Sequence, residues 1–157
     1  MKLEDAIKSN KFKNESHKAS LNVLYTAWWL KTISANELKK FDLTHEQYNV
    51  LRILKGKHPD TMCVKDIACR MIEKNSNVPR IIDRLETKQL IERTQGETDG
   101  RQTVITLTQK GINILEQSTT ALNNIWDSNL SITEAEATTI SNLLEKLRTK
   151  ENNLCNP

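Results

Sequence analysis

"SNVPRIIDRLETKQLIERTQGETDGRQTVITLT", residues 76–108, changes its hydrophobic period half-way along. Val78, Ile81, Ile82 and Leu85 recur at i, i+3, i+4 and i+7, the spacing of a helix that buries one stripe. Ser76 or Asn77 can accept the free N–H groups of its first turn, and Pro79 stands where a missing N–H costs little. Residues 90–94 and 103–108 are then rich in Ile, Val and Thr, which predicts two strands. "QGETDGR" between them is the turn, with Gly96 and Gly100 supplying backbone freedom. A short amphipathic helix therefore runs into a hairpin. With the apolar stripe turned inward, the helix leaves Ser76, Asn77, Arg80, Asp83, Arg84 and Thr87 outside.

Upstream, "THEQ" at Thr44 is a capping box that opens a helix with Tyr48, Leu51 and Leu54 on its buried face. Gly56 and Pro59 close that helix. "CVKDIACRM" predicts a short helix with Val64, Ile67, Ala68 and Met71 inward, and "IEKNSN" is a polar break. Two short helices joined by a tight break resemble a helix-turn-helix, and the hairpin that follows makes the unit a winged helix. The outward groups suit nucleic acid: Arg matches guanine, Asn adenine, and Ser or Thr either. Arg101, at the hairpin tip, is long enough to enter a minor groove.

The flanks are helical. Residues 3 to about 38 contain neither Gly nor Pro, and predict one or two helices. Val23, Ala27, Leu30 and Ile33 or Leu38 form their stripe, widened by Leu24 and Trp28. Thr108 caps a helix carrying Ile112, Leu115, Leu122 and Ile125 or Trp126. "TEAE" at Thr133 is a second capping box, ahead of Ile140, Leu143, Leu144 and Leu147. "ENNLCNP" reads as a frayed tail. The fold class is mainly α with a small β-hairpin wing. Some apolar stripes are expected to be buried against a second chain.

Composition sets limits. The chain has 157 residues and a formal net charge of +3, which suits one domain with helical extensions and permits, without demanding, a polyanionic partner. From Lys74 to Gln102 six basic residues face five acidic ones, so attraction to DNA must come from their arrangement. No apolar run is long enough to span a membrane, and the polar N-terminus is no secretion signal, so a cytoplasmic location is expected. Cys63, Cys69 and Cys155 are an odd set without metal-ligand spacing, consistent with free thiols in a reducing compartment. His17, His45 and His58 are scattered, and no nucleophile elbow, phosphate loop or acid pair is visible. An enzyme, a metal site and a cofactor are therefore not expected.

"LTHEQYNVLRIL", "VKDIACRM", "SNVPRIIDRLETKQLIER" and "DGRQTVITLTQKG", in that order, resemble the MarR family of bacterial transcription regulators. The resemblance covers roughly residues 43–116. Its most specific elements are "RIIDRLETKQLIER", the Asp99–Arg101 pair and "LTQKG". It implies a homodimer binding double-stranded DNA at a pseudo-palindromic operator, with half-sites ~34–36 Å apart. Residues 1–42 and 109–157 would form the dimerisation helices and tail, and residues 43–108 the winged helix. Ser76, Asn77, Arg80 and Arg84 fall on the family's recognition helix, and Asp99 would hold Arg101 by an ion pair. A repressor released by a small aromatic or phenolic effector is the implied function.

The chain departs from the family's pattern at three places. Many relatives have Ser or Thr where Pro79 stands, a basic residue in place of Gly100, and Gly in place of Gln89. The first two remove DNA-facing groups, and the third implies a different helix-to-strand turn.

Other readings attach to particular residues. Trp28, Trp29 and Tyr48 are candidates for an effector cleft. Adjacent tryptophans point about 100° apart on a helix, so one packs while the other can face a cleft, or both pack. Cys63 stands at a helix start, a setting that lowers a thiol pKa, which would suit an oxidant-sensing regulator. Cys63 and Cys69 would lie ~9 Å apart along one helix and cannot bridge. Arg80 and Arg84 could be solvated residues paired with Asp83 or Glu86. A winged helix could also contact protein in place of DNA.

Overall fold

The computed structural model describes residues 1–74, 76–96 and 103–149. Among the described residues seven α-helices and three strands occur: α1 Leu3–Ile7, α2 Glu15–Leu38, α3 His45–Lys55, β1 Met62–Cys63, α4 Val64–Arg70, α5 Val78–Thr87, β2 Ile91–Gln95, β3 Thr103–Leu107, α6 Gln109–Asn129 and α7 Glu134–Leu147. A single 3-10 turn, Lys39–Phe41, follows α2. The chain divides into two compact units, Met1–His45 and Glu46–Pro157.

Within the second unit the winged helix is built on a hydrophobic centre. Val50, Leu51 and Leu54 of α3, Ile67 of α4, and Val78, Ile82 and Leu85 of α5 are all buried, as helical periodicity requires. α4 packs on α5, β1 and β3, α5 packs on β2, and α6 packs on β3. The sheet is antiparallel with order β1-β3-β2, so β3 is central. Ile105 of β3 faces Arg93 on one side and Met62 on the other, and is fully buried. The hairpin was expected from sequence, but β1 was not. A two-residue strand carries no period of its own and exists only because β3 pairs with it.

Helix starts follow the expected chemistry. Asn77 caps α5, its side chain accepting the Arg80 N–H at 3.2 Å, so Asn77 takes the cap and Pro79 lies in the first turn. Thr108 caps α6 through the Gly111 N–H at 2.9 Å. Thr133 and Glu136 form the full capping box of α7. The backbone N–H and hydroxyl of Thr133 hold the Glu136 carboxyl below its ordinary pKa.

The turn from α5 to β2 keeps a geometry that favours glycine although Gln89 occupies it. Gln89 is left-handed, with φ 60°. Leu90 N–H donates to Leu85 O at 3.0 Å and Gln89 N–H to Glu86 O at 2.7 Å, the two bonds of a Schellman stop. Leu85 and Leu90 are both buried, which supplies its hydrophobic contact. A side chain in this region is strained by roughly 1–2 kcal/mol, partly offset in Gly by its greater unfolded-state entropy. Gln89→Gly is therefore expected to raise stability by about 0.5–1 kcal/mol, read as a higher urea midpoint at unchanged slope. A lower midpoint would show that the Gln89 side chain contributes more than its backbone costs.

The flanking helices differ from the buried stripes that their periodicity alone suggests. On α2, Leu24 and Trp28 are 66% and 58% exposed. On α7, Ile140, Leu143 and Leu147 are exposed and no residue is buried. The apolar pattern is present, but on α2 and on α7 these residues are exposed among the described residues.

Candidate nucleic-acid interface

α5 presents one outward face. Asn77, Arg80, Arg84 and Thr87 are exposed and fall at i, i+3, i+7 and i+10, within one angular sector of the helix. Ser76 is half-buried in the turn before it, its N–H donating to Glu73 O at 3.2 Å and its carbonyl accepting from Val78 N–H at 2.9 Å. The Asn77 side-chain oxygen Oδ1 accepts the cap bond, which leaves the side-chain nitrogen Nδ2 as the donor for a base. Bidentate adenine reading by Asn77 would have to share that oxygen. Asp99 and Arg101 lie outside the described residues.

The pairing of the arginines differs from the solvated-helix reading. Asp83 and Glu86 are both held by Arg93 of β2: a terminal guanidinium nitrogen meets Asp83, and Nε lies 3.4 Å from Glu86. Among the described residues neither Arg80 nor Arg84 is in an ion pair. Arg93 was counted in the sequence only as a charge. A local signal for its direction was present, because in a strand it points to the same side as Ile91, two residues earlier. Ile91 is buried, so that side faces the body of the domain, where α5 packs on β2.

The turn that follows α5 is anchored by the start of α6. Lys110 Nζ donates to Lys88 O at 2.9 Å, the Thr108 hydroxyl donates to Gln89 O at 2.8 Å, and Thr108 N–H donates to Leu90 O at 3.2 Å. Lys88 Nζ also reaches the buried Gln47 side chain at 3.2 Å. These bonds fix the C-terminal end of α5.

Cys63 caps α4, its sulfur accepting the Asp66 N–H at 3.4 Å. Neither Cys63 nor Cys69 is in a disulfide. Sulfur is a weak acceptor beside a hydroxyl, so Cys63→Ser is expected to fold at least as stably as the parent chain. That variant isolates thiol chemistry from structure. If it responded to peroxide as the parent does, in DNA binding, oxidant sensing through Cys63 would be eliminated.

The three effector candidates are divided between the units. Trp28 and Trp29 belong to α2. The Trp28 ring lies 5.4 Å from that of Tyr25, and Trp29 is half-buried. Tyr48 belongs to α3, where its hydroxyl is 3.0 Å from Thr119 Oγ1 of α6. Beside that contact a groove of about 450 Å³ runs between α3 and α6, lined by Arg52, Lys55, Leu115, Glu116 and Thr119 among others. A Lys55–Glu116 ion pair of 3.2 Å crosses it. Among the described residues no cluster of three or more metal-ligating side chains occurs, and no described helix is long and apolar enough to cross a membrane.

A helix-turn-helix whose second helix turns Arg80 and Arg84 outward, with the adjoining β2–β3 hairpin as wing, defines a winged-helix DNA-binding protein. Residues 43–103 match the model of the MarR family, which assigns this segment to that family of transcription regulators. MgrA, an HTH-type transcriptional regulator of Staphylococcus aureus, is 29% identical over 109 residues, covering 69% of this chain and 72% of MgrA. MepR of S. aureus, solved in complex with DNA, is 26% identical with a TM-score of 0.74, covering 83% of this chain and 96% of that one. The ligand-free form of the organohalide-sensing regulator RdhR shares the fold at 24% identity and a TM-score of 0.78, covering 90% of this chain and 85% of its own. RdhR has also been solved bound to 2,4-dichlorophenol.

Proposed function

We propose that the chain acts as a homodimeric repressor that sets two copies of α5 into successive major grooves of a pseudo-palindromic operator. The observation that carries this reading is the outward face of α5, where Arg80 and Arg84 are unpaired among the described residues while Arg93 holds both acids. Arg80 and Arg84 would contact bases or phosphates, with Ser76 and Asn77 at the helix start. Asp99 and Arg101 would form the minor-groove contact of the wing. Residues 43–108 would serve as the DNA-binding part, and residues 1–42 and 109–157 as the dimerisation part. The exposed apolar faces of α2 and α7 support a second copy as partner, since isolated soluble chains rarely leave such stripes in water.

A small aromatic or phenolic effector would release the DNA. The α3–α6 groove has the size of a small-molecule site, and the 2,4-dichlorophenol complex of RdhR supports the ligand class. Tyr48, whose hydroxyl meets Thr119 beside that groove, is the candidate contact there, and Trp28 or Trp29 is a separate candidate within the first unit. Such an effector must bind the DNA-incompetent arrangement better than the competent one, or it shifts nothing.

The test is fluorescence anisotropy with DNA from upstream of the chain's own gene, titrated with salt. Tighter binding than to scrambled DNA, by a dimer, with affinity falling steeply as salt rises, is the expected result. Should neither that DNA nor a duplex selected from a random pool bind better than scrambled DNA, the winged helix would be a protein-interaction module.

A further inference from the structure

Asp83 and Glu86 are the only carboxylates of α5, and one guanidinium holds both. Their side chains remain 61% and 41% exposed. Asp83 lies three residues after Arg80 and one before Arg84. Without Arg93 the helix would therefore present two cations and two anions to a polyanion, and the repulsion would offset the attraction. Exposed pairs of this kind contribute little to folding stability, so stability alone does not explain one cation spanning two acids.

We propose that Arg93 is a positioning residue for DNA recognition, neutralising Asp83 and Glu86 so that α5 meets the phosphates with net positive charge. It acts through those two carboxylates and need not touch DNA. The inference rests on α5 being the recognition helix, as set out under Proposed function. It differs from a tether between α5 and the hairpin, because a tether needs both partners, whereas neutralisation needs only the loss of the negative charge.

Four forms of the full chain separate these possibilities: wild type, Arg93→Gln, Asp83→Asn with Glu86→Gln, and the triple variant. Each is titrated by anisotropy at low salt against the upstream duplex, or the tightest duplex selected from a random pool, and each is melted to verify folding. Arg93→Gln is expected to weaken binding roughly tenfold, the scale of two partly screened repulsions. The triple variant is expected to return to within about twofold of wild type, and the double variant to bind at least as tightly as wild type. Arg93→Gln binding like wild type would overturn the inference and leave the recognition helix in place. A triple variant as weak as Arg93→Gln would also overturn it, making Arg93 a direct contact or a tether. Wild type binding no duplex better than scrambled DNA would overturn the reading of α5 itself, and this inference with it.

Discussion

Gly111→Ala is expected to destabilise the chain strongly for a single added methyl. A Cβ at Gly111 would fall well inside contact distance of the Leu90 carbonyl oxygen and 2.9 Å from its carbon. The obstacle is backbone, so no rotamer change relieves it. α6 would have to move away from the α5–β2 turn, straining Thr108 against Gln89 and Leu90 and Lys110 against Lys88. Overpacking of this kind costs about 1–3 kcal/mol, occasionally more, and the rigid neighbour puts Gly111 at the upper end. At roughly 2–4 °C per kcal/mol for a chain of this size, Tm should fall by about 6–12 °C. Gly56→Ala is the control, because its Cβ would meet only Ile53 O at 3.5 Å and Arg52 O at 3.7 Å. That variant should stay within about 0.5 kcal/mol of the parent. A Gly111→Ala melt indistinguishable from the Gly56→Ala melt would refute the close approach of α6 to Leu90.

Arg80→Ala is expected to give the largest loss of DNA affinity among the described residues. Arg80 is exposed on the first turns of α5, next to the end that would enter the groove. A base-contacting arginine is worth ~1–3 kcal/mol, a loss of roughly 5- to 150-fold in Kd, with relaxed preference at particular base pairs. Arg84 lies one turn deeper. If Arg84→Ala weakened all sequences equally and reduced the salt slope by about one, it would be a phosphate contact. Melting curves of both variants should match the parent, since neither guanidinium holds an ion pair among the described residues. If both variants bound every duplex as the parent does, the assignment of α5 to the groove would be lost.

Much of the winged helix was legible because its signals are local. The i, i+4, i+7 stripe of Val78, Ile82 and Leu85 marks a helix wherever it occurs, and these residues are buried. Asn77, Thr108 and Thr133 announce helix starts through bonds spanning three residues. Strand residues 103–107 were recognisable by β-branched content. On the flanks the stripes of α2 and α7 could be read as apolar, yet a stripe does not name what covers it.

What the sequence by itself determined is the order of the helices and the hairpin, the inward faces within the winged helix, and the set of polar groups left outside on α5, because periodicity and capping depend on near neighbours in the chain. What only the tertiary structure decided depends on residues far apart in sequence. β1 exists because β3 lies beside it. The left-handed Gln89 is held by the Leu85–Leu90 stop and by bonds from α6. Gly111 is required because the Leu90 carbonyl comes against it. Arg93 reaches Asp83 and Glu86 across the α5–β2 contact, and that choice of partners frees Arg80 and Arg84. Composition lists charges, but Coulomb energy depends on distance, and only the packed chain sets which charges meet.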